Sequence, residues 1–125
     1  MKTLLLGFVA ALSMVAQERV DSRISLEDVA GAQQKPFAPP AGQLSALFFV
    51  NTDCPVSNSY AREIRRICTS YGGRLHCYLV YTDPTVGKAA AAQHRADYGH
   101  GDYPAILDVN HASTCAGLPK RRTAQ

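Results

Sequence analysis

Leu47-Phe48-Phe49-Val50-Asn51-Thr52-Asp53-Cys54-Pro55-Val56-Ser57 is the stretch on which the reading of this chain turns. Its first half is a short, continuously apolar run that begins at Leu44, with Gly42 before it and Asn51-Thr52-Asp53 after it. Such a run suits a strand over residues 44–50 buried on both faces. Its second half opens a helix. Thr52 or Asp53 can cap it, Pro55 suits a first turn that needs no N–H, and Gly72-Gly73 stop it, so the pattern predicts one helix over residues 55–71. Tyr60, Ile64, Ile67 and Tyr71 share one face at helical spacing with Cys68 beside them, while Arg62, Glu63, Arg65 and Arg66 take the other.

Cys54 thus stands between a buried strand and the mouth of the clearest helix. The first helical N–H groups have no internal partner, and the helix dipole adds partial positive charge there. Both stabilise a thiolate, which is the nucleophile of disulfide exchange. The structural alternative is a small residue that merely fits the turn; a cysteine serving only the core would more naturally sit within an element.

On the N-terminal side, residues 19–26 alternate, with Val20, Ser22, Ile24 and Leu26 on one side, and run into Glu27-Asp28-Val29-Ala30-Gly31. That predicts an edge strand entering a turn, followed by a proline-rich loop over residues 32–42 with no core pattern. On the C-terminal side, residues 75–81 form a second apolar strand ended by Asp83-Pro84. Residues 86–98 form an alanine-rich helix closed by Gly99, and residues 104–108 a short third strand. Residues 112–115 begin a helix that Gly117 and Pro119 stop. Strands alternating with helices at this spacing predict an α/β domain with right-handed crossovers on a parallel sheet.

With 125 residues, 46% of them hydrophobic, the chain can build one modest core and not two. Lys2, a short apolar run from Leu4 to Leu12 and the small residues after it form a secretory signal pattern, too short to span a bilayer. The expected division is a signal over residues 1–16, a domain over 17–117 and a basic tail over 118–125, with the mature chain exported to a periplasmic or extracellular space. No other stretch is apolar for long enough to cross a membrane. Losing the signal removes one lysine and no acid from a net charge of +3, a balance that argues against nucleic acid as a partner. Lys120-Arg121-Arg122 reads as a solvated tail.

Cys54, Cys68, Cys77 and Cys115 permit three disulfide pairings, and none of their spacings is C-x-x-C. Cys68 is fourteen residues beyond Cys54, about 21 Å of rise in one unbroken helix, which excludes that pair. Cys77 alternates with Leu75 and Leu79 and reads as core, leaving Cys115 as the candidate partner for Cys54. His111 and Cys115 lie four apart, with His76, His94 and His100 also available, yet they lack a ligand pattern and read as exposed polar residues. No metal or cofactor is expected. Asp83, Asp97, Asp102 and Asp108 read as markers of element ends rather than paired acid–base groups.

Asn51 to Ser57, following its apolar strand, resembles the active-site strand and helix start of the thioredoxin-like redoxins, which include exported thiol–disulfide oxidoreductases and peroxiredoxins. Ile24 to Gly31 is similar to their leading hairpin, and Tyr103-Pro104-Ala105-Ile106-Leu107-Asp108 to their later Pro-hydrophobic-Asp strand. The resemblance covers roughly residues 20–117 and implies a thioredoxin-like three-layer α/β fold. It also implies that the chain is incomplete, since the family continues with a strand opened by a cis-proline, a further strand and a closing helix. In dithiol members a second cysteine follows the first by three residues; Ser57 occupies that place, so Cys54 would act as a single thiol. Peroxiredoxins carry Thr three residues before the reactive cysteine and Pro seven before it, where this chain has Asn51 and Leu47.

The function expected is single-cysteine thiol–disulfide exchange or antioxidant activity on protein or small-molecule thiols and disulfides. Cys54 would be the nucleophile, Asp53 would affect its acidity, Pro55 would shape the turn and Ser57 would be the hydrogen-bond neighbour. The alternative is a non-catalytic or degenerate binding domain. Leaving the 44–50 strand unpaired on one side predicts a marginal monomer that dimerises, associates with another chain or aggregates.

Overall fold

A parallel sheet needs cover on both faces, and with three strands only the middle one can have neighbours on both edges as well. The computed structural model describes residues 20–114, and there the middle strand is residues 75–81. The elements are β1 (Leu26–Glu27), β2 (Gln33–Gln34), β3 (Leu44–Phe49), α1 (Pro55–Ser59), α2 (Ala61–Ser70), a 3₁₀ turn (Gly72–Arg74), β4 (Leu75–Tyr81), α3 (Lys88–Asp97) and β5 (Ala105–Leu107). The sheet order is β3-β4-β5, all parallel, with Leu44 opposite Leu75 at one end and Tyr81 opposite Leu107 at the other. The signal reading, the basic tail and Cys115 lie outside the described residues.

Side chains of β4 alternate between two apolar clusters. Cys77, Leu79 and Tyr81 meet Ile64 and Cys68 of α2 and Ala91 of α3 on one face; Tyr78 meets Leu26 and Ile106 on the other. β1 and β2 pair as an antiparallel hairpin that joins the second face through a bridge from Asp28 to Ile106. Asp28 closes the hairpin turn, its Oδ1 accepting from the Ala30 and Ala32 N–H groups at 2.9 Å and its Oδ2 from Gln34 at 2.8 Å. Burial would push this carboxyl up, but those hydrogen bonds together with Arg95 hold it below the ordinary carboxylate value. Here the structure departs from the expected strand over 19–26. Extended pairing is confined to two residues on each arm, and the second arm lies in the segment read as a proline-rich loop.

Two further expectations are corrected. Residues 44–50 do not form a strand buried on both faces: β3 is an edge strand, with Leu44 63% and Phe49 50% exposed. The helix over 55–71 is two helices broken at Tyr60. The Ser59 hydroxyl donates to the Val56 carbonyl, the acceptor that the Tyr60 N–H would use in an α-helix, and Tyr60 bonds the Ser57 carbonyl instead. After the break the inward stripe is Ala61, Ile64 and Cys68, so Tyr60 and Tyr71 turn outward.

The Cys68–Cys77 disulfide staples α2 to β4, although Cys77 had read as plain core. The 3₁₀ turn reverses the chain at Gly72, whose φ of +53° suits glycine, and sets the two cysteines face to face. With a sequence separation of 9, the bridge is worth about 2–3 kcal/mol through restriction of the unfolded chain. The Cys68→Ala/Cys77→Ala pair should lose that much in denaturant titration with the fold retained.

Candidate functional site

Cys54 is the N-cap of α1. Its backbone is extended (φ −92°, ψ 107°), its side chain is half-buried, and among the described residues it is the free cysteine. Sγ accepts a hydrogen bond from the Ser57 N–H at 3.5 Å, and the Cys54 carbonyl accepts from the Asn58 N–H at 3.0 Å. Pro55 follows in the first turn, where its missing N–H costs nothing. Because α1 has only five residues, the field at the sulfur comes from the nearby Ser57 amide and not from the long dipole that an unbroken helix would have supplied.

The structure brings Asp53, Cys54, Pro55 and Ser57 into one turn, with roles that differ in detail from expectation. Ser57 reaches the sulfur through its amide. Its hydroxyl is turned to the preceding loop, accepting from the Asn51 N–H at 3.2 Å and lying within donor reach of the Asn51 carbonyl (3.3 Å) and Asn58 Oδ1 (3.4 Å). Asp53 is exposed, and its N–H is held by Asn51 Oδ1 at 3.0 Å. Its carboxylate acts on a group that sequence reading had set aside: it favours the charged form of His94.

Behind the turn lies a polar cluster invisible in the sequence. His94 and His100 read there as exposed polar residues, yet they are 5% and 2% exposed. His94 falls on the inward face of α3, three residues after the fully buried Ala91. Its Nδ1 lies 2.8 Å from the Tyr81 hydroxyl and its Nε2 2.7 Å from Asn58 Oδ1. Asn58 Nδ2 in turn donates to the Thr52 carbonyl (3.1 Å) and to Tyr98 Oη (3.0 Å). The His94 ring packs against Tyr98 at 4.6 Å and His100 at 6.1 Å. His100 Nδ1 is buried with no hydrogen-bond partner among the described residues. The one available signal was spacing, since Ala91 and His94 lie on one helical face; the partners of His94 come from other elements.

Burial pushes both imidazoles below their ordinary value of 6.5, against Asp97 and Asp53 at His94 and with the help of His94 and Arg65 at His100. Burial also pushes Tyr81 up to about 12. Among the described residues no group of three His, Cys, Asp or Glu side chains is placed to hold a metal ion, and no helix is long and apolar enough to cross a membrane.

No family model and no curated protein matches the sequence. Solved structures do resemble the fold. A secreted disulfide oxidoreductase of Mycobacterium tuberculosis, homologous to E. coli DsbE, superposes with a TM-score of 0.64 at 17% identity, over 85% of this chain and 75% of that one. The bacterioferritin comigratory protein of Xanthomonas campestris gives 0.61 at 16% identity, over 76% and 59%. A putative thioredoxin from Neisseria meningitidis gives 0.59 at 21% identity, over 78% and 63%. At these identities the likeness establishes the fold, which is thioredoxin-like.

The two imidazoles set a pH dependence of stability. An unfolded chain protonates both near 6.5, whereas the folded chain resists until lower pH, so the unfolded state binds more protons just below 6.5. Stability therefore falls as pH drops below about 6.5. Thermal midpoints measured from acid to neutral pH should climb and then level off, and His94→Gln should shrink the climb; a flat wild-type profile would contradict this.

Proposed function

We propose that this thioredoxin-like chain is an exported thiol redox protein in which Cys54 exchanges with disulfides or oxidised thiols. The observation that carries the reading is the division among the cysteines. Cys68 and Cys77 are closed in a buried bridge, while Cys54 is the free cysteine among the described residues, half-exposed, and set at a turn where a backbone amide faces its sulfur. Disulfide exchange proceeds through the thiolate of an accessible cysteine. Similarity to a disulfide oxidoreductase that is itself secreted supports both the chemistry and the compartment.

The chemistry is a two-step exchange. The Cys54 thiolate attacks one sulfur of a disulfide, a Cys54 mixed disulfide forms, and the other sulfur leaves as a thiolate that takes a proton from water. With serine at position 57, no thiol three residues on can resolve the intermediate. An external thiol such as glutathione then attacks the partner sulfur, releasing Cys54 and carrying the disulfide away. Pro55 shapes the turn, the Ser57 amide holds the sulfur, and Asp53 stands exposed beside it with its N–H on Asn51 Oδ1. The substrates are protein or small-molecule disulfides; with Asn51 and Leu47 in place of the peroxiredoxin residues, peroxide is disfavoured.

Glutathione-coupled reduction of insulin tests the assignment. Cys54→Ser should fall to the uncatalysed background, whereas Cys115→Ser should keep the wild-type rate, because the mechanism needs one thiol. Equal rates in wild type and Cys54→Ser would leave only a binding role.

That second reading has its own observation. The outer edge of β3 is unpaired among the described residues and exposes Leu44 and Phe49, a surface suited to self-association or to capture of another strand. Sedimentation should then show association that grows with concentration and that Phe49→Lys suppresses. A single monomeric species at every concentration rejects it.

A further inference from the structure

The cluster behind Cys54 can be assigned proton by proton from one backbone oxygen. A carbonyl only accepts, so the Asn58 carboxamide must turn its Nδ2 toward the Thr52 carbonyl, 3.1 Å away. Oδ1 then faces His94 Nε2 at 2.7 Å, and since that oxygen only accepts, Nε2 carries the proton. In the neutral ring Nδ1 is left to accept from the Tyr81 hydroxyl at 2.8 Å. The second Nδ2 hydrogen goes to Tyr98 Oη at 3.0 Å. Every donor and acceptor of Asn58 and His94 is used, and the chain of bonds runs from the fully buried Tyr81 in β4, through α3 and α1, to the loop two residues before Cys54.

We propose that Asn58 is a positioning residue for Cys54: held from behind by His94, it fixes the Thr52 carbonyl and so the turn that sets Cys54 Sγ on the Ser57 amide. The inference deepens the thiol reading and rests on it. Three other bonds act on the same turn: the Asn58 N–H on the Cys54 carbonyl, the Ser57 hydroxyl on the Asn51 backbone, and Asn51 Oδ1 on the Asp53 N–H. None of them reaches the Thr52 carbonyl. Without the Asn58 carboxamide the Thr52–Asp53 peptide keeps a tie on its N–H side alone, and the extended backbone that aims the sulfur loses the one on its carbonyl side. His94 acts at one remove: its Nε2–H on Oδ1 holds the carboxamide in the place and orientation that keep Nδ2 on the Thr52 carbonyl.

The test is the rate of iodoacetamide alkylation of Cys54 in a Cys115→Ser background, where Cys68 and Cys77 stay bridged. Losing a bond that leaves a partly buried partner unsatisfied should slow the reaction about tenfold in Asn58→Ala. Asn58→Asp keeps the size and the contact with His94 but cannot donate to Thr52, so it should fall as far. His94→Leu should fall with them. His94→Gln places an amide donor where Nε2–H stood and should stay within about twofold of the parent. Thermal melts recorded in parallel separate this from a structural tie, which lowers the melting point of all four variants without sorting their rates.

Rates in Asn58→Asp and His94→Leu that stay at the parental value overturn the proposal, as does a His94→Gln rate as low as that of His94→Leu. Alkylation needs no disulfide substrate. A parent that alkylates with this variant pattern yet fails to reduce insulin removes the redox assignment and leaves the positioning role standing.

Discussion

The structure depends on the burial of β4 from Cys77 to Tyr81. Leu79, Val80 and Tyr81 have no exposed surface, and a strand so enclosed must have its backbone groups paired on both edges and its side chains packed on both faces. β3 and β5 supply the edges, α2 and α3 cover one face, and the hairpin covers the other. Each functional feature then follows from a residue of this strand. Cys77 anchors the disulfide that holds α2, and Tyr81 carries a hydroxyl into the core that only a polar partner can satisfy. That need draws His94, and through it Asn58, to the back of the Cys54 turn.

Much of this was legible in the sequence because continuous apolar runs identify enclosed strands well. The bounds of β4 agree with the apolar run at 75–81, the alternation of strands and helices gave the parallel sheet, and Cys54 was placed between β3 and a helix. Features decided by competition between hydrogen bonds were not legible. The break at Tyr60 arises because a serine hydroxyl takes a carbonyl that helical periodicity assigns to an amide, and no hydrophobic pattern records that. The open edge of β3 among the described residues was expected from the family resemblance, but the exposure of Leu44 and Phe49 was not, because an apolar run looks the same whether or not its faces are covered.

The buried histidines show a second limit. A histidine in an alanine-rich helix reads as polar and outward, since burial of an imidazole without partners is costly. His94 is buried because its two ring nitrogens meet Tyr81 and Asn58, thirteen residues before it and thirty-six before it respectively. The disulfide belongs to the same class. Cys68 and Cys77 each lie within an apolar pattern, and only the reversal at Gly72 shows that they share one side of the sheet.

Ser57 is the point at which fold and chemistry meet most closely. Measured against a dithiol head, a serine three residues after the nucleophile looks like a missing thiol. Here its amide supports Cys54 Sγ, while its hydroxyl bridges the Asn51 N–H and carbonyl and lies beside Asn58 Oδ1. A thiol donates and accepts weakly and has a larger sulfur, so it would serve those three oxygen and nitrogen partners poorly. The serine is therefore built into the turn. In the proposed exchange, resolution of a mixed disulfide would pass to an external thiol because residue 57 is engaged in holding the Cys54 loop in place.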